Sequence, residues 1–222
     1  MLKELLNLER GHRQLFFLLS MILLVIIFPF ILGNQVSNLI YASALSLVLL
    51  AGIHVISEDK HFRRLGIILG SIAIGAGFLP YLVDADFLKF FILAKVFLYW
   101  LFFSFTAFVI IREVILGKKI NSEMIYGSIA GYILLGLSGA MVFLFLEIIN
   151  PASFSINISG INDTHTFIYF SFVTLATLGY GDIIPTAPLA QMLAVMHSIS
   201  GQIYLTILVA MLVGKYIAKS LK

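Results

Sequence analysis

Six long apolar stretches constrain this sequence more than any other feature. A helix needs roughly 20 apolar residues to cross the hydrocarbon layer of a bilayer. Hydrophobic residues make up 61% of the chain and charged residues only 11%, which is far from the composition of a soluble domain. The apolar stretches are residues 14–33, 37–56, 65–83, 87–111, 124–149 and 189–217. We therefore predict an all-α membrane protein with six transmembrane helices.

The basic residues predict which way the helices cross. Cytoplasmic loops of membrane proteins carry an excess of lysine and arginine. Six crossings place four basic groups on one side: Lys3, Arg10 and Arg13; Lys60, Arg63 and Arg64; Arg112, Lys118 and Lys119; and Lys215, Lys219 and Lys222. The acids on the other side are Asp84, Asp86, Glu147, Asp163 and Asp182. We expect a multi-pass protein of the cell membrane with both termini in the cytoplasm.

A polar linker, REVILGKKINSE, divides the chain into two parts. We predict a four-helix domain over residues 1–120 and a two-helix domain over residues 121–222. Between the last two apolar stretches, a polar loop precedes one further apolar run, residues 165–176, which is too short to span a bilayer. We expect this run to enter the membrane from the outer face as a half-length helix.

The segment after the short run, TLATLGYGD at residues 174–182, requires backbone that is not helical. Inside a membrane such backbone must line water, a ligand or protein. Successive carbonyls can point the same way only if alternate residues take unusual angles, including positive φ, which glycine reaches without a steric penalty. Gly179 and Gly181 have the required spacing. GYGD alone is also a common turn sequence, but here a half-length run precedes it and a spanning stretch lies on each side.

This arrangement resembles the pore module of the potassium-channel superfamily, in the six-transmembrane layout of prokaryotic channels, over residues 123–216. The resemblance implies that the carbonyls of Thr177, Leu178, Gly179 and Tyr180, with the Thr177 hydroxyl, replace the hydration shell of K+. Gly181 completes the implied selectivity filter. Leu178 stands where valine is commoner, and its side chain is expected to pack away from the ion path.

The resemblance also implies supporting residues and an assembly. Tyr169 and Phe170 occupy the positions of an aromatic cuff that receives the Tyr180 ring, and Thr174 belongs to the same supporting string. Asp182 resembles the outer-mouth acid that attracts cations and braces the filter. Because one copy of the motif cannot encircle an ion, we expect a homotetramer with closed cyclic symmetry.

Four residues each have two interpretations. Glu147 either ties the fifth helix to backbone near the filter or faces water. Gly201 is either a gating hinge or a packing site for a neighbouring helix. Lys95 lies within an apolar stretch, so it is either functional or reaches an interface or a watery crevice. His197 either faces the pore cavity or packs within its helix.

The charges of the fourth stretch predict weak or absent voltage dependence. The first four stretches have the layout of a voltage sensor, but the fourth carries only Lys89 and Lys95 before Arg112 at its inner end. The second and third stretches lack acidic partners. One charge crossing 100 mV contributes roughly 2.3 kcal/mol, and steep gating needs several charges per subunit.

These features predict passive K+ conduction and no enzymatic activity. The partners expected are K+, membrane lipids and further copies of the chain. The net charge of +3 is spread over membrane boundaries, so we expect no nucleic acid partner. The sequence has no cysteine and no metal-ligand spacing among its five histidines, so no cofactor is expected besides the permeant ion. Two other functions stay open: a subunit of a potassium transporter, and a non-conducting sensor or assembly subunit.

Overall fold

The computed structural model describes residues 14–24, 35–55, 60–82, 84–117, 122–156 and 164–220. Helices dominate these residues. They are α1 (Gln14–Leu24), α2 (Gln35–Val55), α3 (Lys60–Phe78), α4 (Ala85–Leu116), α5 (Ser122–Ile149), α6 (Thr164–Leu175) and α7 (Pro188–Ser220). The short elements are a 3-10 turn (Leu79–Tyr81) and two strands, β1 (Phe154–Ile156) and β2 (Ile183–Pro185). The all-helical prediction therefore holds except for two strands of three residues each.

Within the described ranges, three helices are long and apolar enough to cross a membrane: Phe87–Leu116 in α4, Ser122–Ile149 in α5 and Pro188–Lys215 in α7. Three of the six predicted spans are thereby supported. In the other stretches, α1 and the part of α2 over Ser43–Val55 are apolar but have fewer than 18 residues, and α3 carries Lys60, Arg63 and Arg64 in its first turns. Residues 25–33 of the first stretch lie outside the described residues. So do the basic groups before residue 14, Lys118, Lys119, Asp163 and Lys222, together with the predicted domain boundary at residues 120–121.

α4 joins the two parts of the chain. Apolar residues occur on all faces of this helix, which is typical of a helix surrounded by protein or lipid. It packs along α5, where the hydroxyls of Ser104 and Ser138 are 2.7 Å apart and the rings of Phe97 and Phe145 are 6.4 Å apart. On its other side α4 buries Phe102 in the core of the N-terminal part. The two parts therefore contact each other directly within one chain.

The C-terminal part is built around the half-length helix α6. It has 12 residues, too few to span a bilayer, and it lies between α5 and α7. An aromatic cluster of Phe143, Phe154, Phe167 and Phe170, with ring centroids 5.0 to 5.8 Å apart, packs its outer half against α5 and β1. β1 pairs with β2 in antiparallel register, Phe154 opposite Pro185. This pairing holds the segment that follows α6 next to the end of α5.

Candidate functional site

The site begins where α6 ends. The amide of Thr177 donates to the Thr174 carbonyl at 3.0 Å, and the amide of Leu178 donates to the Val173 carbonyl at 2.9 Å. These bonds close the last turn of α6 and release the chain into a ribbon, residues 177–182. Because α6 ends here, the negative end of its dipole lies beside the first ribbon residues.

Every second residue of the ribbon has a positive φ: 58° at Thr177, 60° at Gly179 and 79° at Gly181. The sequence predicts this conformation at the two glycines, and there the structure agrees. This alternation is what a ribbon with its carbonyls on one side requires. An added Cβ at Gly179 or Gly181 would meet no atom of its own chain within 4 Å, so backbone conformation and not crowding requires glycine there.

The positive φ of Thr177 was not predicted from the sequence. A threonine with positive φ carries strain of roughly 1–3 kcal/mol, which its surroundings must offset. Besides its amide bond to Thr174, its hydroxyl accepts a hydrogen bond from the Gln202 side-chain amide of α7 at 3.4 Å. The sequence offered one signal for Gln202, a polar residue next to Gly201 in an apolar helix.

Two ribbon side chains are exposed on the single chain, Leu178 at 56% and Tyr180 at 67%. Phe170, the predicted partner of Tyr180, is instead buried against Phe143 and Phe154. Within the described part of one chain, no ring contact joins Tyr180 to Tyr169 or Phe170. The described residues of one copy do not form the predicted aromatic cuff, which stays a prediction for the assembled protein.

Asp182 braces the ribbon from its outer end. The Tyr169 hydroxyl of α6 donates to Asp182 Oδ2 at 2.6 Å, and the amide of Ile183 donates to Oδ1 at 3.1 Å. The hydrogen bond to Asp182 is the main cause that raises the pKa of Tyr169 to about 12. Tyr169 thus stays a protonated donor at neutral pH. Both residues were predicted as part of the site, but their mutual contact was not.

Glu147 ties the end of α5 to the backbone beyond it. Its two carboxylate oxygens accept from the amides of Ala152 at 3.0 Å and Phe154 at 3.2 Å. Ala152 has a positive φ of 70°, so this turn also needs support. These two bonds favour the backbone tie, and a role of Glu147 in supporting the filter stays a prediction. The tie acts on β1, which pairs with β2 just after Asp182, and not on the ribbon itself.

The remaining candidates lie in the helices. An added Cβ at Gly201 would overlap the Leu175 carbonyl oxygen, so this glycine lets α7 approach the end of α6. That contact favours the packing interpretation, and the hinge stays a prediction.

His197 packs between helices, beside Ser171 and Phe143, as the second interpretation expected. Lys95 is half-buried in α4, and its two interpretations both stay open.

The described residues contain no group of three or more histidine, cysteine, aspartate or glutamate side chains that could hold a metal ion. Besides its backbone carbonyls, the ribbon carries the hydroxyls of Thr177 and Tyr180 and the carboxylate of Asp182.

A family model described as an ion channel matches residues 131–218. The matched segment runs from α5 through α6, the ribbon and most of α7, and it leaves α1 to α4 outside. No curated protein and no solved structure matches the chain. Together with the apolar helices, the match supports a membrane ion channel and not an enzyme.

Proposed function

We propose that this protein is a potassium channel in which four chains pass K+ passively through a pore lined by residues 177–181. The observation that carries the proposal is the alternation of positive φ at Thr177, Gly179 and Gly181, in a ribbon that follows a half-length helix between two spans. The carbonyls of 177–180 and the Thr177 hydroxyl would replace the water around the ion. Asp182 would attract cations at the outer mouth.

Fourfold assembly is part of the proposal because one ribbon cannot surround an ion. In the most apolar 18-residue window of α5, 61% of the residues are buried, whereas in the corresponding window of α7 only 6% are buried. Large apolar side chains of α7 that stay exposed include Met192, Val195, Met196, Ile199 and Ile203. An uncovered face of this size favours association with protein or lipid. Copies of the same chain around a central axis would cover part of it.

The proposal includes weak or absent voltage dependence. The described helices α2 and α3 contain no acidic residue. Arg112 of α4 lies over the Phe62 ring, 5.3 Å from its centroid, and so is held at the inner end of its helix. Lys89 is exposed near the outer end. Of the basic residues described in α4, Lys95 would then be the one that moves through the field, and one charge gives shallow gating. The proposal also puts both termini in the cytoplasm.

The test is a bi-ionic reversal potential, K+ against Na+, with the purified protein in planar bilayers and Ba2+ as a blocker. We expect a strong preference for K+ and block by Ba2+. Gly179→Ala should abolish the preference because alanine disfavours positive φ. Gly214→Ala is the matched control, since an added Cβ at Gly214 meets no atom within 4 Å. Equal permeation of Na+ and K+ by the wild-type protein would overturn the proposal.

A further inference from the structure

A buried hydrogen-bonded chain joins the three helices of the C-terminal part. The hydroxyl of Ser171, in the middle of α6, donates to the Gly136 carbonyl of α5 at 2.6 Å. The same oxygen lies 2.9 Å from Nε2 of His197 in α7. Ser171 is completely buried, so water cannot substitute for either partner. We call this set of three residues the strut.

The donor and the acceptor of each hydrogen bond in the strut are fixed because the Ser171 hydroxyl carries a single proton. The Gly136 carbonyl can only accept, so that proton is committed to α5. The Ser171 oxygen must then accept from His197, which requires the proton of the neutral imidazole to sit on Nε2 and leaves Nδ1 bare. Hydrogen bonds therefore run from α7 to α6 and from α6 to α5.

The surroundings of His197 are shaped to hold the ring in this position. An added Cβ at Gly139 of α5 would overlap the imidazole and would lie 2.7 Å from Ser171 Oγ. The ring of Phe143 stands edge-on to the imidazole, with centroids 5.4 Å apart and planes at 85°. One glycine thus provides the space and one aromatic ring closes it. The imidazole faces α5 and α6, and no described acidic or basic side chain is hydrogen-bonded to it.

We propose that His197 is a positioning residue which, through Ser171, fixes α6 against both flanking helices and thereby holds the ribbon in its conducting geometry. This inference rests on the proposed function. Ser171 lies in the helix whose last turn carries the ribbon, so a shift or rotation of α6 moves Thr177 and the carbonyls after it. The outer brace from Tyr169 to Asp182 acts at the other end of the same unit.

The first test needs no variant and no current. Solid-state NMR of the wild-type tetramer in lipid bilayers, with 15N-labelled histidine, distinguishes the two neutral tautomers of the imidazole. We expect His197 to carry its proton on Nε2 and to show a through-space correlation with Ser171. A proton on Nδ1 would overturn the inference, since Nε2 could then not donate to Ser171.

The second test compares three variants in reconstituted tetramers. His197→Phe keeps a ring against Phe143 but removes the donor, Ser171→Ala removes the link, and His197→Gln keeps an N–H near the position of Nε2. With one buried hydrogen bond lost, we expect hydrogen exchange of the α6 amides to rise and the conducting fraction of time to fall, each roughly five- to tenfold. His197→Gln should restore most of both.

The two proposals fail in different ways. If His197→Phe and Ser171→Ala assemble and match the wild-type protein in α6 exchange and in conducting fraction, the strut has no positioning role. If the wild-type protein passes Na+ as readily as K+, the proposed function fails, while the tautomer and the α6 exchange still decide the strut. Should a variant not assemble, the wild-type tautomer decides the inference alone.

Discussion

The described core of the N-terminal part is largely apolar, and in the C-terminal part side-chain hydrogen bonds join several elements to one another. The buried core of α1, α2 and α4 includes Phe17, Leu49 and Phe102. Two buried oxygens there, Gln14 Oε1 and Thr106 Oγ1, have no hydrogen-bond partner among the described residues. In the C-terminal part such bonds link α6 to α5, α6 to the ribbon, α5 to β1, and α7 to α5.

This difference indicates that the C-terminal part is the one in which distances between atoms are fixed. Apolar packing is not directional and tolerates small rearrangements, while a hydrogen bond sets the distance and angle between two atoms. A pore that replaces a hydration shell needs fixed distances, and a bundle that supports it does not. The family match covers α5 to α7 only. We therefore expect substitutions of these polar contacts to have large effects in the C-terminal part.

The largest effect is expected from Gly201→Ala. The new methyl would overlap the Leu175 carbonyl, so α7 must move away from α6. Overpacking of this kind destabilises by about 1–3 kcal/mol, which denaturant titration of the purified protein in detergent micelles would measure. Gly214→Ala in the same helix should be neutral or stabilising. Equal stability of the two variants would show that α7 does not approach α6 as described.

Glu147→Gln should have the next largest effect. The amide keeps the shape of the side chain but can accept only one of the two backbone bonds, from Ala152 or Phe154, and it loses the charge. We expect a loss of about 1–2 kcal/mol in the same titration. The matched control in the N-terminal part is Asp84→Asn, since Asp84 precedes α4 without a side-chain cap bond. A larger loss in the control would reverse the comparison.

Tyr169→Phe tests the outer brace and its pH dependence. The bond to Asp182 raises the pKa of Tyr169 from 10.0 to about 12 in the folded chain. A raised pKa contributes stability that is fully present below pH 10 and is lost as pH rises through about 12. The wild-type protein should therefore exceed Tyr169→Phe in thermal stability by a constant margin from pH 6 to pH 9. A margin that vanished within that range would contradict the described contact.

Much of the fold followed from the sequence because its causes are local. The short run predicted at 165–176 corresponds to α6, and the glycine spacing predicted positive φ at Gly179 and Gly181, as observed. The length and apolarity of a stretch decide whether it can span, so α4, α5 and α7 were also predicted. Each of these inferences needs only neighbouring residues.

The contacts of the site could not be predicted because they depend on how helices are rotated against one another. Ser171 and His197 are 26 residues apart in sequence, and only the packing of α7 on α6 brings them together. The positive φ of Thr177 could not be predicted either, because the residue at this position is not a glycine. The choice between the two interpretations of Glu147 required knowing that β1 forms. Its three residues lie in a loop whose sequence has no clear strand pattern.

Lys215→Met tests a contact that joins the two parts. The ammonium of Lys215 in α7 donates to the carbonyls of Val114 at 3.0 Å and Ile115 at 3.3 Å, in the last turn of α4. A cation at a helix C-terminus contributes about 0.3–1 kcal/mol, so we expect a loss in that range together with a change in open probability. Lys215→Arg keeps the charge and should behave like the wild-type protein. Unchanged gating in Lys215→Met would separate the two parts functionally.

The smallest effect is expected from Thr106→Val, and it is the sharpest test of the comparison. The Thr106 hydroxyl is buried without a hydrogen-bond partner among the described residues, so its removal loses no bond and relieves a desolvated group. We expect the stability to stay unchanged or to rise by up to about 1 kcal/mol. Ser171→Ala, the matched removal of a buried hydroxyl in the C-terminal part, leaves the Gly136 carbonyl without its donor and should destabilise by about 1–3 kcal/mol. Opposite signs for these two substitutions would show that the two buried hydroxyls differ as described, whereas equal losses would mean that Thr106 also has a partner in the assembled protein.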